Sequence, residues 1–106
     1  MRLSPEISDF FLAEVLKIPI RSKLYLFGSR TIDASKGGDI DILILSELKL
    51  DRKSNRDFRI RFYKRFGFQK LDIVNFTFEE ENAFKDIITE DAILIASNAP
   101  ESIFQQ

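Results

Sequence analysis

Asp39 and Asp41 stand two residues apart in the run Asp39-Ile40-Asp41-Ile42-Leu43-Ile44-Leu45. In an extended chain this spacing sends both carboxylates out of one face, while Ile40, Ile42 and Ile44 line the other. Two acids held that close repel, and without a cation one of them tends to take up a proton. A hard divalent ion such as Mg²⁺ relieves the repulsion and suits an oxygen-only ligand set. For an isolated Asp-x-Asp the commoner account is a pair of strand-end acids facing solvent. Two more features stand beside this pair. Gly28-Ser29-Arg30 follows a short apolar run, where a glycine lets a phosphate approach the backbone and a hydroxyl can hydrogen-bond it. An ordinary turn, with Gly28 supplying the unusual φ and Ser29 capping a helix, would use the same residues. Asp72 lies in Lys70-Leu71-Asp72-Ile73-Val74, where an unpaired buried carboxylate would be costly and a nearby Arg could pair with it.

The elements that must position these residues are short. Ser4-Pro5-Glu6 is a helix opening, followed by a stripe of Ile7, Phe10, Phe11 and Val15 that ends before Pro19. Lys23 to Phe27 reads as a buried strand stopped by Gly28, and Asp39 to Leu45 is the clearest strand of the chain. Thr31 to Lys36 fits a short helix or a loop, closed by Gly37-Gly38. From Asp51 to Phe66 two periods compete. Phe58, Phe62 and Phe66 recur as on a helix, whereas Phe58, Ile60 and Phe62 alternate with Arg59 and Arg61 as on a strand. Length favours the helix, with Gly67 as its terminator. Lys70 to Phe76 is a further strand. Thr77-Phe78-Glu79-Glu80 fits a capping box ahead of a helix that packs Phe84, Ile87 and Ile88. Ala92 to Ala96 reads as a last strand, and Ser97 to Gln106 as a loose tail. The alternation describes one α+β domain over residues 1–106, with a mixed β-sheet flanked by helices.

Composition narrows the chemistry. The 106 residues are 44% apolar with eleven Phe, enough to bury a core, and too few for a second one. There is no Cys and no His, so disulfides, thiolate metal sites, His-ligated zinc and imidazole acid–base catalysis are excluded. Asp, Glu, hydroxyls, Lys, Arg, Tyr or a bound metal must carry any reaction. Glu6, Asp9 and Glu14 interrupt the early apolar segment, which argues against a signal peptide, and no run suits a membrane helix. A cytoplasmic location is the expectation. Net charge is −1, yet Arg52 to Lys70 holds eight bases against one acid, and Glu79 to Asp91 six acids against one base. Such runs are most often solvated helix faces. No Walker-type glycine loop is present.

Taken together, Gly28-Ser29, nine intervening residues, Asp39-Ile40-Asp41 and the later strand residue Asp72 resemble the nucleotidyltransferases of the DNA polymerase β type. The resemblance spans Leu24 to Leu94. It is closest to the minimal nucleotidyltransferases, which occur as antitoxins beside HEPN-domain toxins. It implies a polymerase β-like fold, ATP as donor and two Mg²⁺ ions. On that resemblance Asp39, Asp41 and Asp72 would ligate the metals, with Asp72 also helping to deprotonate the acceptor hydroxyl. Gly28 and Ser29 would hold the outgoing phosphates, and Arg30 would add charge near the triphosphate. The implied activity is transfer of AMP to a hydroxyl, a Tyr of a HEPN toxin partner, by the antitoxin of a type VII-like pair. The chemistry agrees, since in-line displacement at phosphorus is served by metals held between converging carboxylates and needs no histidine.

Two other functions compete. A catalytically weak antitoxin could neutralise its partner by contact, associating through that partner. A nucleic-acid module could use Arg52 to Lys70, with Phe58, Phe62, Tyr63 and Phe66 stacking on bases. Their spacing places those rings in the core instead, and the overall acidity disfavours nucleic acid. Transfer to a protein hydroxyl ranks first, because larger relatives that modify small molecules or RNA carry an added substrate domain for which this chain has no room.

Overall fold

Among the described residues seven elements alternate: α1 (Pro5–Leu16), β1 (Ser22–Phe27), β2 (Asp39–Ser46), α2 (Arg52–Arg65), β3 (Lys70–Thr77), α3 (Ala83–Asp91) and β4 (Ile93–Ser97). They are seen in a computed structural model that describes residues 3–28, 39–67 and 69–99. The strands form one mixed sheet in the order β3-β2-β1-β4. β1 pairs antiparallel with both β2 and β4, and β2 pairs parallel with β3. The parallel pair requires a crossover, which α2 provides across one face of the sheet.

Apolar periodicity decides which face each element buries. The α1 stripe of Ile7, Phe10, Phe11 and Val15 is buried as its spacing predicts, and Ser4 caps the helix by accepting from the Ile7 N–H at 3.3 Å. In α2 the helical period wins. Phe58, Phe62 and Phe66 are buried, whereas Ile60, which a strand would have turned inward with them, is 44% exposed. Phe10 meets Phe11, Phe58, Phe62 and Phe66 edge-on with centroids 5.7–6.0 Å apart, and Phe11 stacks on Phe62 at 5.8 Å. These ring contacts lock α1 against α2 over Leu24, Leu26, Ile40, Ile42, Ile44 and Leu71. The opposite face carries a smaller core of Leu43, Leu45, Phe76 and Ile88. β2 is therefore apolar on both faces from Ile42 to Leu45, with Asp39 and Asp41 at its start and buried Ser46 at its end.

Several local expectations fail for identifiable reasons. Thr77 to Glu80 does not start a helix. The Thr77 N–H donates to Glu80 Oε1 at 3.0 Å and the Glu80 N–H to the Thr77 carbonyl at 3.3 Å, which closes a turn instead. α3 begins at Ala83, because Asn82 Oδ1 accepts from the N–H groups of Phe84 and Lys85. Of its apolar residues only Ile88 is buried, while Phe84 and Ile87 are 49% and 66% exposed. Gly67 is not a left-handed helix terminator. Among the described residues Gly28 alone has a positive φ, and Gly67 serves close approach, a β-carbon there lying 3.0 Å from the Tyr63 carbonyl oxygen. The chain after β4 is tied down as far as it is described. Ser97 pairs with Lys23, and Asn98 donates to the carbonyls of Val15, Ile18 and Ile20 while accepting from the Ser22 N–H. Thr31 to Lys36 and residues 100–106 lie outside the described residues.

Among the described residues one ion pair lies inside the fold. Glu14 is 4% exposed on the α1 stripe, and Arg61 of α2 donates to both its oxygens at 2.9 and 2.7 Å, with Lys17 at 3.5 Å. Its geometry is the bidentate fork that suits Arg and carboxylate. Removing Arg61 strands a buried carboxylate with only a surface lysine nearby. Arg61→Ala should lower the unfolding free energy by about 2 kcal/mol, less than for a fully buried pair because the guanidinium is half exposed. Chemical denaturation of Arg61→Ala and of the double variant Glu14→Leu/Arg61→Ala checks this. The double variant should recover most of the loss. Asp51 gives a second test. Its carboxylate caps α2 by accepting from the Ser54 N–H at 2.7 Å, and that bond holds its pKa below the ordinary value. A depressed folded-state pKa means stability that is present above the ordinary carboxylate range and lost as the pH falls through it. Melting curves across acid pH should show Asp51→Ala less stable than wild type near neutrality, with the gap shrinking as pH falls and Asp51→Asn nearly intact.

Candidate active site

β2 and β3 run parallel with Asp41 opposite Asp72 and Asp39 opposite Lys70. Because strand side chains alternate, Asp39, Asp41, Lys70 and Asp72 all leave the same face, the one that carries α3 further along. Ile40, Ile42 and Leu71 between them point into the larger core. The carboxylates thus stand on strands anchored from beneath by the Phe-rich layer. α2 also fixes β3 from its outer edge. The Tyr63 hydroxyl accepts from the Leu71 N–H at 3.2 Å and donates to the Leu71 carbonyl at 3.3 Å, the residue before Asp72.

Across β2, Phe27 pairs with Asp41, and Gly28 follows at the end of β1. Gly28 has φ of +90°, and a β-carbon there would lie 2.5 Å from Asp41 Oδ2. Only glycine suits this position, both for its backbone and for the space that the Asp41 carboxylate takes. The glycine expected to let a phosphate approach the backbone therefore abuts an acidic group directly.

The electrostatics are those of crowded acids. Partial burial comes first in holding the Asp41 carboxyl above the usual range, then the Asp72 charge and hydrogen bond, then the Asp39 charge, with Lys70 pulling it back. Asp72 is exposed and has an acid as its ladder neighbour. Among the described residues no three His, Cys, Asp or Glu side chains are already gathered as a metal cage. The donor set itself, carboxylate oxygens on neighbouring strands of one face, fits a hard divalent cation that would offset their mutual repulsion. A cation held there by Asp39, Asp41 and Asp72 would supply neutralisation of charge developing at a phosphorus.

The structure brings together Asp39, Asp41, Asp72 and Gly28, four of the six residues singled out from sequence. Ser29 and Arg30 lie outside the described residues. Lys70 and Phe27 were not singled out. Lys70 had a legible signal, since it alternates with Asp72 on the same strand, but its placement beside Asp39 depends on the register between two strands. No helix among the described residues is long and apolar enough to cross a membrane.

Comparison with known proteins places this geometry. No curated protein sequence matches the chain. In fold it is similar to a chain of a complex of tri-AMPylated Shewanella oneidensis HEPN toxin with MNT antitoxin, at TM-score 0.59 and 18% identity over 85% of this chain and 70% of that one. A toxin–antitoxin complex with AMP-PNP gives TM-score 0.64 and 17% identity over 83% and 71% of the two chains. A further crystal structure from Shewanella oneidensis gives 0.64 and 14%, over 88% and 71%. At such identities the likeness is one of fold. The sequence profile of the family described as polymerase beta, nucleotidyltransferase, matches residues 16–101, from the end of α1 through β4. With the profile covering most of its length, this chain belongs to the polymerase beta nucleotidyltransferase family.

Proposed function

We propose that the chain is a Mg²⁺-dependent nucleotidyltransferase that moves AMP from ATP to a hydroxyl of a separate protein, a Tyr of a HEPN-domain toxin, and so acts as the antitoxin of the pair. The observation that carries this reading is the ladder pairing of Asp41 with Asp72, with Asp39 on the same face. Family membership supports the reaction class. The fold's likeness to toxin–antitoxin complexes, one with an AMPylated toxin and one with AMP-PNP, supports donor and partner.

Asp39, Asp41 and Asp72 would hold the Mg²⁺, which when bound supplies charge neutralisation at the phosphates. Gly28, with Ser29 and Arg30 after it, would receive the β- and γ-phosphates against backbone N–H groups. The acceptor oxygen attacks the α-phosphorus, the bond from that phosphorus to the bridging oxygen breaks, and pyrophosphate departs. The acceptor proton passes to a carboxylate oxygen of Asp72. Phenolic oxygen is a poor nucleophile while protonated, so this transfer is where the chain's own residues contribute most.

Two outcomes test the reading. Incubating the protein with purified HEPN partner, ATP and Mg²⁺ should add adenylyl mass to the partner, read by intact mass. Asp72→Ala should slow the addition by about a hundredfold or more while ATP binding by calorimetry persists. Partner neutralisation with no added mass in wild type would instead favour inhibition by contact. The second outcome concerns stability. Because Asp41 is crowded by two acids, Asp41→Asn should melt no lower than wild type without metal. Mg²⁺ with ATP at about a hundredfold above Kd should stabilise wild type by about 2.7 kcal/mol, and Asp41→Asn far less. An Asp41→Asn protein that unfolds well below wild type without metal would make Asp41 a structural residue.

A further inference from the structure

Lys70 opens β3 and precedes Asp72 by two residues, so its side chain leaves the face that carries the acids. It is exposed, and it acts on Asp41 as a neighbouring positive charge. Across this face the order is Lys70 and Asp72 on β3, Asp39 and Asp41 on β2, then Phe27 and Gly28 at the end of β1. An in-line displacement sets the entering and leaving oxygens on opposite sides of phosphorus. With the leaving pyrophosphate on the Gly28 side, the acceptor must arrive over β3. Lys70 therefore stands on the acceptor's flank and away from the outgoing phosphates.

We propose that Lys70 is an acceptor-binding residue whose ammonium pairs with a negative group next to the attacking hydroxyl. Deepening the nucleotidyltransferase reading above, on which it rests, this assigns the acceptor a chemistry: a hydroxyl flanked by an anion. That anion is a carboxylate of the acceptor protein, or the phosphodiester that a first transfer leaves on it. The need for a cation follows from the site itself. An anionic acceptor approaching this face meets the charge of the bound triphosphate, and a lysine set beside the acids at the entry side offsets that repulsion and fixes the approach. During transfer the new bond forms from the hydroxyl oxygen to the α-phosphorus, the bond to the bridging oxygen breaks, and the proton goes to Asp72.

The test uses the full chain with purified HEPN partner, ATP and Mg²⁺, comparing wild type, Lys70→Met and Lys70→Arg. Lys70→Met should raise the KM for the partner about tenfold, the loss of one charge-assisted contact, with kcat changed less than about twofold. Calorimetric affinity for ATP should stay within about twofold of wild type. Lys70→Arg, which keeps the charge, should restore the KM. Intact mass separates the two sources of the anion. If it is the partner's own carboxylate, the first adenylyl addition slows; if it is the attached phosphodiester, the first addition is normal and later ones are lost. Unchanged KM and an unchanged product distribution in Lys70→Met would overturn the proposal, as would a tenfold loss of ATP affinity, which would put Lys70 on the donor side. Should wild type add no mass to the partner, the transfer reading itself fails, and the acceptor role of Lys70 falls with it.

Discussion

The parallel ladder between β2 and β3 is the constraint on which the rest depends. A slip of one residue would turn Asp72 into the Phe-rich core and bring Leu71 or Ile73 to the site face. Register is held on three sides. Beneath, Ile40, Ile42, Ile44 and Leu71 are fully or almost fully buried under α1 and α2. At the outer edge, Tyr63 satisfies both main-chain groups of Leu71. At the far end, Asn75 donates to the Ile44 carbonyl and Ser46 Oγ while accepting from the Leu50 N–H, which fastens β3 to β2 and to the approach of α2. The acids crowd on strands that are packed from beneath and fastened at the β3 edge.

Division of the sheet into two faces explains how so small a chain holds both a core and a polar site. The face under α1 and α2 is apolar through Leu24, Leu26, Ile40, Ile42, Ile44 and Leu71, with Ser22, Ser46 and Asn75 at its far end. The other is apolar only where α3 covers it, at Leu43, Leu45 and Phe76, and becomes polar where the strands begin. Asp41 lies between the two regimes, half-buried beside Phe27 and Gly28. That intermediate position accounts for its raised pKa, since burial acts on it together with neighbouring charge. It also makes the site responsive to any cation that offsets the charge.

Part of each opposed charge run is structural. In the basic run Arg61 neutralises buried Glu14, and Lys53 pairs with Asp57 at 3.1 Å. Glu80 of the acidic run accepts from the Thr77 N–H and lies 3.5 Å from Lys49. Lys85, the one base of that run, donates to the carbonyls of Phe78 and Glu80 and so closes the loop into α3. Only Lys70, at the end of the basic run, stands among the carboxylates.

Much of this was legible in the amino acids, because the physics involved is local. Alternation in Asp39 to Leu45 was enough to put two acids on one face and isoleucines on the other, and four-residue spacing of Phe was enough to choose helix over strand for α2. The α+β class and the family resemblance followed from motif order, and the family profile agrees with it. What tertiary structure decided is everything that depends on one strand's position against another. Asp72 could equally have been an acid paired with an arginine; only the parallel register puts it beside Asp41. Lys70 showed only its alternation with Asp72 until that register set it against Asp39. Burial likewise lay beyond local pattern. Phe84 and Ile87 repeat with the spacing of a packed stripe, yet α3 presses only Ile88 into the sheet, since the turn at Thr77 to Glu80 delays the helix to Ala83. Ser97 and Asn98 look like the start of a tail, but the Asn98 amide finds three carbonyls brought together from a segment about eighty residues earlier. Side-chain periodicity is a property of neighbours in the chain; register and burial are properties of distant segments, and only packing can assign them.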